Sequence, residues 1–324
     1  SHIQGVIFNQ MSPMLYPRMK KLLEEELSVK VLGYVPKVED CVIESRHLGL
    51  VLPEEIPELK NRLGKLSEIL EKTLDIDGIL KLAGKAPELS IPEFSDLIRK
   101  DSAFGYRSSE KVRIGVADDE AFCFFYADNL SLLEQMGAEL VHFSPIHDTE
   151  LPGDLDGLLL CGGYPELNGK ALEENQEMCS SIRKAVEGGM PCLAECGGFM
   201  YLHQEMEDME GNFRKVCGVI PGRSFRTPKL TRFGYITLTE KKDSGLGEIP
   251  AHEFHYFDST DCGTDFHASK PASTRGWDCM HYEGRLMAGF PHLYYYGNPK
   301  VPVHFLKNAL EYKKERRQKK DAEI

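Results

Sequence analysis

The stretch PCLAECGGFMYL, from Pro191 to Leu202, decides the fold. Small and apolar residues run up to Glu195 and Cys196, two glycines follow, and an apolar run resumes behind them. PCLA reads as a buried strand and GGFMYLHQ as the opening of a helix. Cys196 then sits on a strand-to-helix turn, an elbow that forces a residue into strained dihedrals and presents it to a ligand. Gly197 and Gly198 permit tight packing behind it. The helix N-terminus favours the thiolate, and the Gly197 N–H is placed to stabilise an oxyanion. The competing reading is an ordinary buried thiol. A second glycine turn, CGGYPE at Cys161–Glu166, favours catalysis, because it ends a neighbouring strand and offers the Gly163 N–H as another oxyanion donor.

The same alternation extends outward. From Lys111, VRIGVA is a strand, NLSLLEQMG a helix, AELVHF a strand, DGLLLCGGYPE a strand with its turn, and LEENQEMCSSIRKAVEGG a helix. Short loops between alternating strands and helices predict a doubly wound α/β domain. Further strands are expected near 215–225, 231–239, 252–257 and 279–290, and a last helix from about Pro302. Upstream, IQGVIF reads as a buried strand. PMLYPRMKKLLEEEL reads as a helix with Leu15, Met19, Leu22, Leu23 and Leu27 on one face, and KVLGYVP as a second strand. That is a βαβ unit with parallel strands. Leu59, Leu63, Leu66, Leu70 and Leu74 predict one long amphipathic helix between Pro57 and Leu82. The periodicity is lost over 83–110, which reads as a linker with a short helix. The expected division is therefore 1–82, a linker at 83–110, and 111–324.

Bulk properties narrow the function. A chain of 324 residues, 41% hydrophobic and 28% charged, suits one large or two medium soluble domains. A net charge of −12 argues against a nucleic-acid partner. The basic run KKERRQKK, Lys313 to Lys320, reads as the solvated end of the last helix, with cations at its negative pole. Nine cysteines without a CxxC pair, Cys161 and Cys192 among them in apolar strands, imply free thiols in a reducing, cytoplasmic compartment. No apolar run is long enough to span a membrane. The opening Ser1–His2 reads as a tag remnant, and the chain is expected to begin inside a domain.

A cysteine nucleophile needs a base. His292, in GFPHLYYYGNP, ends an apolar strand and is the first candidate; His255 is the second. HEFH at 252–255 is not the HExxH zinc motif, and strand alternation puts His252 and His255 on opposite faces. GYPELNGKA is not a phosphate loop either: Tyr164 stands where the first glycine belongs, and Ala171 replaces the metal-binding hydroxyl.

Taken in order, DDEAFCFFYADNLSLLEQMGAELVHFSPIHD, DGLLLCGGYPEL, AECGGFMYL, FGY, HEFHY and PHLYYYGNP resemble the cobyrinic acid a,c-diamide synthases. These are glutamine amidotransferases of corrinoid biosynthesis. The likeness covers about 111 to 312, and GVIFNQ, VLGYVP and RHLGLV resemble the back part of that family's ATP-dependent domain. The resemblance implies an α/β fold: a class I glutamine amidotransferase with a flavodoxin-like doubly wound sheet, preceded by a truncated P-loop-type synthetase domain lacking its phosphate loop. It implies Cys196 as nucleophile and His292 as base, with oxyanion donors around Gly163 and Gly197. Glu195 would shape the glutamine pocket or brace the elbow. Tyr126 and Asn129 would face the substrate, and Arg46 and His47 would line the synthetase site. Glutamine and a corrinoid are the implied substrates, and the remaining N-terminal ATP domain is the implied partner. ATP and Mg2+ would serve the full-length enzyme, with no cofactor or metal held by this fragment; the oligomeric state stays open. One departure stands out. Many class I glutaminases place a glutamate two residues after the histidine, where this chain has Tyr294. A dyad results, or an acid borrowed from elsewhere, with Glu253 as a candidate. Alternatives are a related tetrapyrrole amidotransferase (for hydrogenobyrinic acid, a nickel-sirohydrochlorin or the cobyric acid precursor), a stand-alone thiol hydrolase, and a non-catalytic binding module.

Overall fold

The computed structural model describes residues 3–43, 51, 53–90, 110–242, 244–271 and 273–322. The chain divides into two units, Ser1–Pro92 and Glu93–Ile324. In the first, β1 (Gly5–Phe8) and β2 (Lys30–Tyr34) pair in parallel around α1 (Tyr16–Glu26), as the βαβ pattern requires. Pro17 in the first turn of α1 costs no hydrogen bond there. Two expectations fail in this unit. The first strand is not buried: Ile7 is 42% exposed, and the buried apolar side chains belong to Val31 and Leu32. Nor is 57–82 one helix. α2 (Leu59–Thr73) and α3 (Ile76–Ala83) are separated by an extended Leu74, which bridges to Gly33. Asp75 then caps α3 by accepting from the Gly78 N–H at 2.9 Å. The leucine period runs through the break because both helices pack on β2. Residues 91–109 of the expected linker, and its short helix, lie outside the described residues.

The second unit begins with β3 (Val112–Ala117), α4 (Ala127–Gln135), β4 (Ala138–Phe143) and β5 (Gly157–Leu160). It continues through α5 (Gly169–Glu174), α6 (Gln176–Glu187), β6 (Cys192–Glu195) and α7 (Gly197–Tyr201). Then come β7 (His203–Glu207), β8 (Phe213–Lys215), β9 (Ile220–Arg226), β10 (Arg232–Glu240) and β11 (Glu248–His255). β12 (Phe257–Ser259), β13 (Phe266–Ser269), β14 (Gly276–Cys279), β15 (His281–Glu283), β16 (Leu286–Gly289), β17 (His292–Leu293) and α8 (Lys300–Ala322) complete it.

The central sheet runs β4-β3-β5-β6-β16-β15 and is parallel except for the last strand. Its first five strands have the flavodoxin-like order 2-1-3-4-5. The inner strands β5 and β6 are covered on both faces, so they are buried throughout rather than alternating. Leu159 and Leu193 point into one core with residues of α4 and α8. Leu158, Leu160, Cys192 and Ala194 point into the other, with α6 and α7. Two further sheets surround it, β14-β13-β10-β11-β17 and β12-β9-β7-β8. They take up the strands expected near 215–225, 231–239 and 252–257, whereas the stretch expected as a strand near 279–290 supplies β15 and β16 of the central sheet. His292 does not end the strand that precedes it. It lies in β17, which pairs with β11 in the five-stranded sheet.

The basic C-terminal run is partly docked, while Lys314, Lys319 and Lys320 are exposed as expected of a solvated helix end. Arg316 and Lys313 lie 3.0 and 3.3 Å from the fully buried Asp156, and Arg317 is 3.0 Å from Glu110. No helix among the described residues is long and apolar enough to cross a membrane.

Candidate active site

Cys196 ends β6 and caps α7 with φ +47° and ψ −102°, a conformation that a residue with a Cβ rarely adopts. Its N–H is anchored to the Gly289 carbonyl at 2.8 Å. The glycine behind it is obligatory: a Cβ on Gly198 would lie 2.0 Å from the Leu160 carbonyl oxygen. The second turn closes in from β5. Gly163 (φ +157°) packs on Ala121, where a Cβ would sit 2.1 Å from the carbonyl oxygen. The Gly163 nitrogen is 3.1 Å from the Cβ position that Gly197 leaves empty. The two glycine turns therefore pack directly against each other beside Cys196.

His292 reaches this point from the other sheet. Its ring lies against Gly162, whose absent Cβ would be 2.7 Å from Cε1, and Cys196 Cβ is 3.6 Å from the same position. Both side chains are buried, His292 at 5% and Cys196 at 7% exposure. Burial opposes charging of His292, but the charge of Cys196, its hydrogen bond and then Glu195 raise the imidazole pKa to about 10. Phe124 meets the His292 ring edge-on at 4.9 Å, and His252 stacks on it at 5.0 Å with 23° between planes. His252 is the cross-strand partner of His292. Burial and the neighbouring His292 push its pKa down to about 4, so it is neutral where His292 is charged.

The other candidates divide. Tyr126 lies in the cluster, its hydroxyl 3.4 Å from His252 Nδ1 and its ring packed edge-on against Phe124 and Tyr294. Asn129 is turned into the fold. It is 5% exposed, its amide donates to the Leu293 carbonyl at 2.8 Å, and its oxygen accepts from the Tyr295 N–H at 2.9 Å. It is the third residue of α4, not its cap. Glu195 is buried, with Oε2 3.6 Å from His292 Nδ1. Arg46 and His47 lie outside the described residues. His255 is held away from the thiol by the Phe257 carbonyl and Glu253, at 2.6 and 2.9 Å, and stacks on Phe290. Glu253 also accepts from Trp277 Nε1 at 3.1 Å, so it serves His255 on the opposite face of β11 from His252. Tyr294 turns outward and donates to Asp128 Oδ2 at 3.0 Å. Phe124 and the His252 stack were not anticipated, because an isolated bridge to Gly162 brings in the one and the register of β11 against β17 the other.

The Gly163–Ala171 stretch builds this site rather than a phosphate loop. It forms a tight turn at Pro165–Leu167 and then α5, with Lys170 3.8 Å from Glu174 at the surface. No group of three or more His, Cys, Asp or Glu side chains among the described residues is arranged to hold a metal ion.

A strained thiol at the tip of a 2-1-3-4-5 sheet, against a buried imidazole and between two packed glycine turns, is the arrangement of a class I glutamine amidotransferase. The profile of the CobB/CobQ-like glutamine amidotransferase domain matches residues 113–299. A cobyrinate a,c-diamide synthase of Caldanaerobacter subterraneus is 37% identical over 91% of this chain and 64% of its own length. Those of Clostridium tetani and Fusobacterium nucleatum are 37% and 36% identical over 95% and 92% of this chain, each over 68% of its own length. The chain belongs to the cobyrinate a,c-diamide synthase family and carries its CobB/CobQ-like glutamine amidotransferase domain. It spans about two thirds of the length of these relatives.

Proposed function

We propose that this chain is the glutaminase-bearing part of an enzyme that amidates the a and c carboxylates of cobyrinic acid, using glutamine and ATP. The observation that carries the reading is Cys196 at φ +47° with His292 buried against it. The Cys196 sulfur attacks the glutamine side-chain amide, and the N–H groups of Gly163 and Gly197 hold the oxyanion. Imidazolium His292 gives its proton to the departing nitrogen, which leaves as ammonia. Water, deprotonated by His292, then cleaves the thioester and releases glutamate. Ammonia passes to an acceptor carboxylate activated by ATP and Mg2+. That activation belongs to the synthetase part of the full-length enzyme, of which 1–82 is the rear portion, joined through 83–110 to the glutaminase at 111–324. Buried thiols that form no disulfide, Cys161, Cys179, Cys192 and Cys217 among them, support a reducing, cytoplasmic setting.

The test uses the full-length enzyme with cobyrinic acid and ATP, supplied with either glutamine or ammonia. Cys196→Ser is expected to abolish glutamine-dependent diamide formation and to retain the ammonia-dependent reaction, because only the glutaminase step needs the thiol. Equal loss with both nitrogen donors contradicts the assignment of Cys196. No amidated product from cobyrinic acid in the wild type ends the assignment of the acceptor.

A further inference from the structure

We propose that Glu195 is the acid that orients His292 and holds it charged, so that the catalytic relay closes through the residue immediately before its own nucleophile. This rests on the glutaminase reading above and assigns that site its third member. Successive side chains of a strand point to opposite faces. Glu195 and Cys196 could not both reach one imidazole if the strand simply continued. The reversal at Cys196 (φ +47°, ψ −102°) removes that restriction, and both residues flank His292.

Two orphaned atoms point the same way. Glu195 Oε1 and His292 Nδ1 are both buried with no hydrogen-bond partner. A buried carboxylate without compensation is costly, and the charge beside this one is the imidazolium, 3.6 Å from Oε2. That separation lies just outside hydrogen-bond range, and apo sites commonly tighten such contacts only with substrate bound.

The rival acids are committed elsewhere. The glutamate slot two residues after the histidine holds Tyr294, 41% exposed and bonded to Asp128. Glu253 is taken by His255 and Trp277. Among the described residues, Glu195 is the carboxylate within 4 Å of His292. The groups facing the imidazole are Cys196, Glu195 and His252. Around Glu195 stand Tyr126, Cys161 and Tyr295, each raised in pKa first by burial and next by the Glu195 charge.

Glu195 acts through His292, so it is a positioning residue, and its test needs a readout that a purely structural role would not move. In the full-length enzyme, Glu195→Gln is expected to lower kcat/KM for glutamine hydrolysis about 10²–10⁴-fold, mainly in kcat. The His292 ring, assigned by its loss in His292→Gln and followed by NMR, should titrate at lower pH in the variant. Ammonia-dependent synthesis reports that the variant is folded. Glu195→Asp keeps the charge one methylene further back and should fall between wild type and Glu195→Gln in both readouts; it carries the test if the glutamine variant does not fold. An unchanged His292 titration, or a loss confined to KM, overturns the proposal and makes Glu195 a glutamine-binding or bracing side chain. Cys196→Ser in the same assay separates the two readings. If it keeps glutamine use, the glutaminase assignment has failed. If it loses glutamine use while Glu195→Gln does not, the inference about Glu195 alone has failed.

Discussion

Two stacked imidazoles in this site titrate in opposite directions. Burial disfavours the charged form of both. His292 overcomes it because Cys196 and Glu195 face it; His252 faces the positive His292 and is only weakly helped by Glu253. From the ordinary value of 6.5 down to about 4, an unfolded His252 binds a proton that the folded one refuses. Its contribution to stability is therefore complete above 6.5 and lost as pH falls through about 4. His292 has the reverse sign: from 6.5 to about 10 the folded ring keeps a proton that the unfolded one has released. Its contribution is complete below 6.5 and lost as pH rises through about 10. Urea midpoints measured from pH 4 to 10 should fall at both ends. His252→Gln is expected to flatten the acid limb and His292→Gln the alkaline limb; limbs unchanged by these substitutions contradict the assignment. The sequence made Cys196, His292 and the two glycine turns legible, because each has a local signature in spacing and turn chemistry. It did not reveal the His252 stack, which exists only through the register of β11 and β17. It also gave no reason to turn Asn129 inward.

That asparagine matters at the level of elements. β17 is two residues long, and short pairings of this kind need outside support. α4 supplies it through Asn129, whose amide spans the Leu293 carbonyl and the Tyr295 N–H on either side of Tyr294. Removing the amide leaves two buried backbone groups without partners, at about 1–3 kcal/mol each. Asn129→Ala should therefore lower the unfolding midpoint. It should also cost glutaminase kcat more than glutamine KM, because the loosened segment carries the imidazole. Asn129→Asp keeps the acceptor for Tyr295 and loses the donor to Leu293, so an intermediate effect is expected. A large KM effect with unchanged stability would restore Asn129 to the substrate-facing role its motif suggested. Elements were legible where periodicity and boundaries agreed, as in α4; the single helix expected from Leu172 to Gly189 is instead interrupted at Asn175, which caps α6 after α5 has ended. The helix expected over 57–82 was misread because the leucine spacing continues across Leu74, while the signal that breaks it is one capping aspartate, Asp75, with Gly78 three residues on.

At the scale of the whole molecule, the 2-1-3-4-5 sheet was legible because each parallel strand is an apolar run closed by a turn, and sequential βα units leave few ways to wind. The two flanking sheets were not, since several of their strands are short and pair with strands distant in sequence, as β17 does with β11 and β12 with β9. The last helix packs back on the sheet, and three of its cations, Lys313, Arg316 and Arg317, pair with carboxylates of the same unit. Asp156 is fully buried and accepts from the Arg113 N–H at 2.9 Å. Its charge is balanced by Lys313 and Arg316, which arrive about 160 residues later in sequence. Replacing both cations in Lys313→Met/Arg316→Met strands a buried carboxylate, and a loss of about 3–5 kcal/mol is expected in urea unfolding. Arg317→Ala breaks only the exposed pair with Glu110 and should cost under about 1 kcal/mol. Adding Asp156→Asn to the double variant should recover part of the loss, because the uncompensated charge is gone even though the bridge is not restored. If the triple variant is no more stable than the double, the helix is held by its apolar face alone, and the ion pairs at Asp156 are incidental to the closure of the domain.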